Sequence, residues 1–214
     1  MTASTDTGGE CRYPTPRMNE QIALRQRLKR ARLELSARAQ AEAASAASAR
    51  LLRQTQFQHA KRIAGYFGSK GELDPMPLLE QAALLNKKCY LPVLHPFRHG
   101  QLWFCRWKPG DRLVVNHFGI PEPQFSADKH IAARNIDLAI VPLLGFDSEC
   151  HRIGMGGGYY DRSFAFTRRL KHISKPFLLG FAYEVQRVDK LHSQPWDITL
   201  DAIVTERNLF CKNA

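Results

Sequence analysis

Between Asp137 and Leu144 the chain reads DLAIVPLL, a segment that is apolar nearly throughout. A strand with apolar side chains on both faces is typical of a parallel sheet that helices cover on both sides. Shorter strands are predicted in IAGYF (63–67), KCYLPV (88–93), LWFCRW (102–107), FLLGFA (177–182) and DAIVT (201–205). Helical segments alternate with these strands. The sequence therefore predicts an α/β fold with three layers, α/β/α, in which a mainly parallel sheet is flanked by helices.

Two helices are predicted ahead of the first strand. The first covers residues 19–35, and its apolar stripe at helical spacing consists of Leu24, Leu28, Ala31 and Leu35. A neighbouring stripe is basic and consists of Arg25, Lys29 and Arg32. Ser36 is a suitable cap for the second helix, the Ala-rich segment 37–54.

Two further helices and a long loop are predicted between the strands. Pro75 and Pro77 open a helix that runs through Leu85, since proline suits the first turn of a helix. Another helix is predicted at 159–171. The segment 108–129 is loop-like, with FGIPEP at its centre.

The composition favours one globular domain of the cytoplasm. The 214 residues are predicted to form a flexible polar tail at 1–18 and a single domain at 19–214. No apolar run approaches the roughly 20 residues that span a bilayer, and the N-terminus has no apolar core of a secretory signal. The five cysteines are widely spaced without a CxxC pair, which fits a reducing compartment. We expect a monomer that does not bind membranes.

The positive charge is concentrated near the N-terminus. The chain carries a net charge of +11, and residues 17–62 hold eleven Lys and Arg against three Glu. Such a patch attracts polyanions, which leaves three interpretations: a small phosphate-rich ligand, a nucleic acid, or a merely solvated helix face. A nucleic-acid-binding module built on the basic N-terminal helix is the alternative function. It lacks an RNA-binding aromatic motif and helix-turn-helix spacing.

The stretch GMGGGYYDR (154–162) follows the strongest strand and precedes a predicted helix. Glycines there allow the backbone to approach a phosphate closely, and a helix N-terminus adds favourable partial charge. The spacing matches neither the Walker A pattern nor the dinucleotide-binding fingerprint. The residues alone therefore leave two interpretations open, a phosphate-binding loop or a glycine-lined turn that lets a helix pack closely.

Carboxylates near this loop indicate a metal site. Asp161 would lie in the first helical turn, where it could hold a Mg²⁺ that bridges phosphate oxygens. It could equally be a charge that the helix dipole favours. A second ligand would come from PWDITLDAIV (195–204), which offers Asp197 and Asp201, and the spacing does not choose between them.

Five ordered motifs resemble those of the 5-formyltetrahydrofolate cyclo-ligase family, also called methenyltetrahydrofolate synthetases. The most specific is RIGMGGGYYDR (152–162) after VPLLGFD (141–147). The others are LRQRLKRARLELS (24–36), IAGYFGSKGELD (63–74), FGIPEP (118–123) and QPWDITLDAIVTE (194–206). The resemblance covers residues 21–206. It implies a three-layer α/β/α fold and an enzyme that uses MgATP to cyclise 5-formyltetrahydrofolate (folinate) to 5,10-methenyltetrahydrofolate, releasing ADP and phosphate.

The resemblance also implies roles for individual residues. Catalysis would involve Arg152, Tyr159 and Asp161, and Mg²⁺ would be held by Asp161 and Asp197. The ATP-binding residues would be Gln21, Ile22, Ala23, Leu24, Arg25, Arg152, Ile153, Gly154, Met155, Gly156, Gly157, Gly158, Tyr159 and Tyr160. The folate would contact Phe67, Glu72, Met155, Gly156, Gly157, Gly158 and Tyr159, with Phe118 and Glu122 as further candidates. Gln21 departs from the family pattern, because many relatives carry lysine there.

Overall fold

The computed structural model describes residues 16–124, 126, 128–169 and 176–212. Its α-helices in chain order are α1 (Pro16–Leu33), α2 (Ala37–Leu52), α3 (Thr55–His59), α4 (Met76–Leu84) and α5 (Tyr159–Ser163). Its strands are β1 (Arg62–Ala64), β2 (Lys88–Leu94), β3 (Leu102–Trp107), β4 (Leu113–Val115), β5 (Pro121–Pro123), β6 (His130–Ile131), β7 (Leu138–Val141), β8 (Gly145–Phe146), β9 (Arg152–Ile153), β10 (Phe177–Phe181), β11 (Ala202–Val204) and β12 (Leu209–Cys211). Short 3₁₀ turns occur at Ala133–Asn135, Ala165–Arg169 and Glu184–Gln186.

Eight strands form one sheet in the order β12-β11-β10-β7-β1-β2-β3-β6. The five central strands, from β11 to β2, pair in parallel. The outer strands β12, β3 and β6 pair antiparallel. From β1 the chain moves outward to β2 and β3, and it later returns to the other side of β1 with β7. The predicted mainly parallel α/β sheet is confirmed.

Strand β7 separates the two halves of the core, as its apolar sequence predicts. All four of its residues are buried. Leu138 and Ile140 pack in a cluster with residues of α2, α3 and α4. Ala139 and Val141 belong to the opposite cluster, which also contains residues of β8 and the segment after α5. Because side chains alternate along a strand, β7 packs against one apolar cluster on each of its two faces.

The N-terminal helices match their predictions closely. Helix α1 begins at Pro16, three residues before the predicted start, and α2 ends at Leu52. The Ser36 side chain accepts a hydrogen bond from the Ala39 N–H at 3.2 Å, which confirms the predicted cap. Most of the predicted flexible tail, residues 1–15, lies outside the described part of the chain. None of the described helices combines the length and apolarity that crossing a membrane requires.

The predicted long helix at 159–171 is wrong. Helix α5 has only five residues and is followed by a 3₁₀ turn, and residues 170 and 171 lie outside the described part. The Ser163 hydroxyl donates to the Tyr159 carbonyl at 2.7 Å and accepts from the Leu102 N–H of β3 at 2.8 Å. Phe164 is fully buried next to it. These contacts fasten the end of α5 to the sheet, so the chain turns instead of continuing as a helix.

Two hairpins occur outside the main sheet, and one of them lies in the segment that was predicted to be loop-like. The segment 108–129 contains β4 and β5, which pair antiparallel with Val115 opposite Pro121. A second hairpin, β8 paired with β9, lies between β7 and the glycine loop. The strand predicted to be last, β11, is followed by β12 at the sheet edge. Residues of both hairpins line the candidate site described below.

Candidate active site

A cavity of about 1160 Å³ opens at the carboxyl ends of the central parallel strands. Its wall includes Tyr66 and Phe67 after β1, Pro92 in β2 and Pro142 after β7. The chain leaves β1 and β7 toward opposite sides of the sheet, so the order of the strands reverses between them. Crevices at such reversal points are where open α/β sheets bind ligands.

The loop at 154–158, here called the glycine loop, connects β9 to α5 along one side of this cavity. Gly156 and Gly158 have φ of +100° and +63°, a region that disfavours other residues. A Cβ added at Gly156 would meet no atom within 4 Å, so its surroundings are open. From α1, Arg25 Nε donates to the Gly154 carbonyl at 3.2 Å. The loop is held by α1 and leaves room for a ligand beside its backbone.

Arg152 and Asp161 form an ion pair next to the glycine loop. Arg152 Nη2 donates to Asp161 Oδ1 at 2.7 Å, and the same oxygen accepts from the Ile198 N–H at 3.2 Å. The Arg152 side chain is almost fully buried, and its Nε has no hydrogen-bond partner among the described residues. Asp161 Oδ2 accepts no hydrogen bond from them either, so it is available to a ligand in the cavity.

A second carboxylate lines the cavity near the first. Asp197 Oδ2 accepts from the Gln194 N–H at 2.8 Å, and the residue after it, Ile198, donates to Asp161. Asp201 instead accepts from the Leu178 N–H at 2.7 Å within the sheet, and burial raises its pKa. Asp201 is not among the cavity-lining residues. Of the two aspartates that the spacing left open, the cavity is lined by Asp197.

The cavity wall also contains Glu72, a nearly buried carboxylate. Its Oε2 accepts from the backbone N–H and the hydroxyl of Ser69, at 3.1 and 3.2 Å. Arg32 Nη1 lies 3.7 Å from its Oε1. Burial raises the pKa of Glu72, and the neighbouring Arg32 guanidinium acts against that rise. Arg32 was predicted on the basic stripe of α1 with Arg25 and Lys29, and the structure shows that its side chain is fully buried beside Glu72.

The β4–β5 hairpin supplies an apolar part of the wall. The ring of Phe118, in the connection between the two strands, meets the ring of Tyr159 edge-on at 5.7 Å. Asn116 Nδ2 donates to Glu122 at 3.0 Å and ties the hairpin's two sides together. Phe118 and Met155 are each half exposed and line the cavity, and apolar side chains of this kind form most of the wall in small-molecule sites.

Comparisons with known proteins agree with this arrangement. The model of the 5-formyltetrahydrofolate cyclo-ligase family matches residues 17–206. The chain belongs to this family. A 5-formyltetrahydrofolate cyclo-ligase of Escherichia coli is 36% identical over 178 residues, which cover 83% of this chain and 96% of the relative. The Haemophilus influenzae protein of the same name is 34% identical over 177 residues, covering 83% and 92%.

A solved structure supports the same assignment. The 5,10-methenyltetrahydrofolate synthetase of Aquifex aeolicus is similar with a TM-score of 0.75 and 30% identity. The similarity covers 91% of this chain and 93% of that one. The predicted α/β fold and the resemblance drawn from the sequence motifs are therefore confirmed.

Most residues that the cyclo-ligase resemblance implied line this cavity. Those from the ATP set are Gln21, Leu24, Arg25, Arg152, Ile153, Gly154, Met155, Gly156, Gly157, Gly158, Tyr159 and Tyr160. The cavity also contains Asp161, Asp197, Phe67, Glu72, Phe118 and Glu122. Ile22 and Ala23 are exposed and do not line it. Since a helix brings only every third or fourth residue to one face, α1 cannot present 21–25 as a continuous contact.

The structure adds cavity residues that the family motifs did not single out. Trp196 is 62% exposed and lies directly before Asp197. Arg168 also lines the cavity, and its Nη1 donates to the Pro195 carbonyl at 3.2 Å. Lys190 and His192 line the cavity as well, and they come from the segment that precedes Pro195. The tryptophan beside a carboxylate in PWD could have pointed to Trp196 in the sequence. No local pattern marked Arg168, Lys190 or His192.

Proposed function

We propose that this chain is an ATP- and Mg²⁺-dependent 5-formyltetrahydrofolate cyclo-ligase. In this proposal it closes the 5-formyl group onto the nitrogen at position 10 of the folate, giving 5,10-methenyltetrahydrofolate, ADP and phosphate. The observation that carries the proposal is the single cavity shared by the glycine loop, the Asp161 and Asp197 carboxylates and the Glu72 wall. A reaction between a nucleotide and a folate needs both ligands in one enclosed space.

The glycine loop side of the cavity suits the triphosphate. The open backbone at Gly156 admits phosphate oxygens without a side chain between them. Arg25 and Arg152 add fixed positive charge there, because each is already oriented by a hydrogen bond to a neighbour. Gln21 carries no charge, whereas many relatives have lysine at this position. In the proposal the guanidinium groups of Arg25 and Arg152 supply the missing positive charge.

The residues present also fit Mg²⁺. The described part of the chain has no group of three or more His, Cys, Asp or Glu side chains arranged around a metal. Mg²⁺ needs no such cage, since it is commonly held by one or two carboxylates together with phosphate oxygens and water. Asp161 and Asp197 each keep one oxygen without a hydrogen bond from the described residues. When bound, the ion would neutralise charge on the phosphates.

The first chemical step activates a poor leaving group. The formyl oxygen attacks the γ-phosphorus of ATP, a new O–P bond forms, and the bond to the bridging oxygen of ADP breaks. The formyl carbon then carries a phosphate on an iminium-like centre. The protein's contribution is to align the two ligands and balance charge, which is the main demand of phosphoryl transfer. Arg152 would stabilise the charge that develops on the transferred group.

The second step closes the ring. The nitrogen at position 10 attacks the activated carbon, a C–N bond forms and that nitrogen loses its proton. The C–O bond then breaks and phosphate leaves. Tyr159, which packs against Phe118, would hold the folate between the hairpin and the glycine loop. Tyr160 keeps its hydroxyl proton, because burial raises the pKa of that group.

The test is an absorbance assay of the methenyl product with purified protein. We expect product only when ATP, Mg²⁺ and 5-formyltetrahydrofolate are all present. The alternative, nucleic-acid binding through α1, is tested beside it by RNA retardation at increasing salt. Two cations of the basic helix do not lie on its outer surface, where this alternative needs them, since Arg25 lines the cavity and Arg32 is buried. Salt-sensitive RNA binding without methenyl formation would overturn the proposed function.

A further inference from the structure

We propose that Arg32 is a positioning residue for folate recognition, which holds Glu72 in the cavity wall as an ionised acceptor for the N–H groups of the pterin ring. Arg32 does not line the cavity itself and acts through Glu72. This inference rests on the proposed function, and it adds a residue to which the family resemblance assigned no role.

Arg32 is buried against the turn that contains Glu72 and donates a hydrogen bond to it. Its side chain has no solvent exposure. Nη2 donates to the Lys70 carbonyl at 2.9 Å, two residues before Glu72. The Nε and Nη1 donors have no hydrogen-bond partner in the part of the chain that the structure describes. A buried guanidinium retained with two unused donors indicates a role for its charge, because structural arginines normally satisfy their donors.

Glu72 has one oxygen fixed and one oxygen available. Oε2 is held by Ser69 through two hydrogen bonds, which sets the orientation of the carboxylate. Oε1 accepts none from the described residues, and its nearest cation is Arg32 Nη1 at 3.7 Å. That separation is longer than a hydrogen bond, so Oε1 can still accept from a ligand. The amino and ring N–H donors of a pterin match such an acceptor.

The surroundings of Glu72 make a counter-charge necessary. The ionisable groups that interact with it are the hydroxyls of Tyr66, Tyr160 and Tyr183 and the cations Arg32 and Lys70. Burial favours the protonated carboxyl and raises the pKa of Glu72, and Arg32 is the strongest influence in the other direction. Without Arg32, the carboxyl would hold its proton at higher pH and would lose part of its acceptor capacity.

The turn itself needs support from α1. Lys70 and Gly71 have φ of +51° and +76°, so two consecutive residues adopt the left-handed region before Glu72. A Cβ at Gly71 would lie 3.2 Å from Leu33 Cδ2, which shows how closely α1 approaches this turn. Arg32 therefore fixes both the charge and the location of Glu72 relative to the cavity.

The test is a comparison of Arg32→Met with Arg30→Met. Arg30 lies on the same helix and is exposed in a pair with Glu34, so it controls for the substitution. We expect Arg32→Met to raise the KM for 5-formyltetrahydrofolate at least tenfold while the KM for ATP stays within twofold. In this variant the folate KM should improve as pH rises, because Glu72 then ionises and its pKa is higher without the Arg32 charge. In Arg30→Met and the wild type the same improvement should occur at lower pH, because Arg32 acts against the rise in the pKa of Glu72.

Two further variants separate positioning from folding. Arg32→Lys keeps the charge and should restore part of the folate affinity even if Arg32→Met is unstable. In a Glu72→Gln background, Arg32→Lys should change the folate KM no further, because Arg32 acts through Glu72. Thermal unfolding of every variant identifies effects of stability alone.

The inference is overturned if folded Arg32→Met or Arg32→Lys leaves the folate KM unchanged. It is also overturned if the KM values of both substrates rise together, or if the effect of Arg32→Lys persists undiminished in the Glu72→Gln background. Failure of the proposed function looks different, because the wild-type protein would then form no methenyl product at all.

Discussion

Asp161 shows how one side chain can serve both the fold and the chemistry. Its Oδ1 accepts from Arg152 and from the Ile198 N–H, which joins the glycine loop to the segment containing Asp197. The other oxygen remains available in the cavity. A carboxylate oriented in this way presents a charge with little freedom to move, which is the property that electrostatic catalysis requires.

Replacing Asp161 with Asn separates these two roles. Asn keeps an oxygen for the Ile198 bond but removes the charge that balances Arg152 and would hold Mg²⁺. We expect a folded protein with a lowered Tm and a kcat reduced on the order of 100-fold or more. The control is Asp111→Asn at an exposed turn, where the side chain accepts from the Lys108 N–H. Near-normal turnover of a folded Asp161→Asn variant would remove the metal role.

Arg32 marks the limit of prediction at the residue scale. Its position one turn from Lys29 places it in a basic stripe, and charged residues are rarely fully buried unless they are paired. The partner, Glu72, is supplied by a turn 40 residues later in the chain, and helical spacing contains no information about that contact. Asp161 and Glu72 were predictable because they belong to recognisable motifs.

At the scale of elements, the glycine loop depends on backbone conformation and open space together. Gly156 at φ +100° and Gly110 at φ +87° are matched, because an added Cβ would meet nothing within 4 Å at either position. They differ in location, since only Gly156 lines the cavity. The pair can distinguish conformational strain from interference with a ligand.

Gly156→Ala and Gly110→Ala should each cost about 1 kcal/mol of folding stability, because both force a side chain into positive φ. Only Gly156→Ala should raise the KM for ATP, since its methyl group would lie between the backbone and the phosphates. Thermal unfolding and ATP titration of both variants provide the measurements. Equal ATP affinity in the two variants would contradict a phosphate-binding loop.

Helix α2 allows an independent check on the structure. Ser36 caps the helix, while Ser45 is exposed in its interior. Ser36→Ala should lower the free energy of unfolding by about 1 kcal/mol, because the Ala39 N–H loses its acceptor. Ser45→Ala should be neutral or slightly stabilising, because alanine has the higher helix propensity. If chemical denaturation gave equal values for the two variants, the helix would not begin at Ala37.

Elements could be predicted where their own residues determine them, and were missed where remote contacts do. Strand β7 is apolar on both faces and needs no context. Helix α5 ends early because Ser163 bonds to Leu102 of a distant strand. Strand β5 consists of Pro121, Glu122 and Pro123, and prolines argue against a strand unless it lies in a small two-stranded unit such as this hairpin.

At the scale of the whole molecule, the order of the strands creates the site. The reversal between β1 and β7 opens a crevice, and the segments after both strands line it. Helix α1, the two hairpins and the segment 190–197 then enclose the crevice from different sides. Residues far apart in sequence thereby line one space of about 1160 Å³. The proposed phosphoryl transfer between two bound ligands requires such a shared space.

Transfer of a labelled oxygen tests that claim most directly. The substrate is 5-formyltetrahydrofolate whose formyl oxygen carries the heavy oxygen isotope, and the released phosphate is examined by mass spectrometry. If the formyl oxygen attacks the γ-phosphorus in this cavity, each phosphate formed with the methenyl product carries one labelled oxygen. Methenyl product accompanied by unlabelled phosphate would contradict the account, because the γ-phosphoryl group would then have been transferred to water and not to the formyl oxygen.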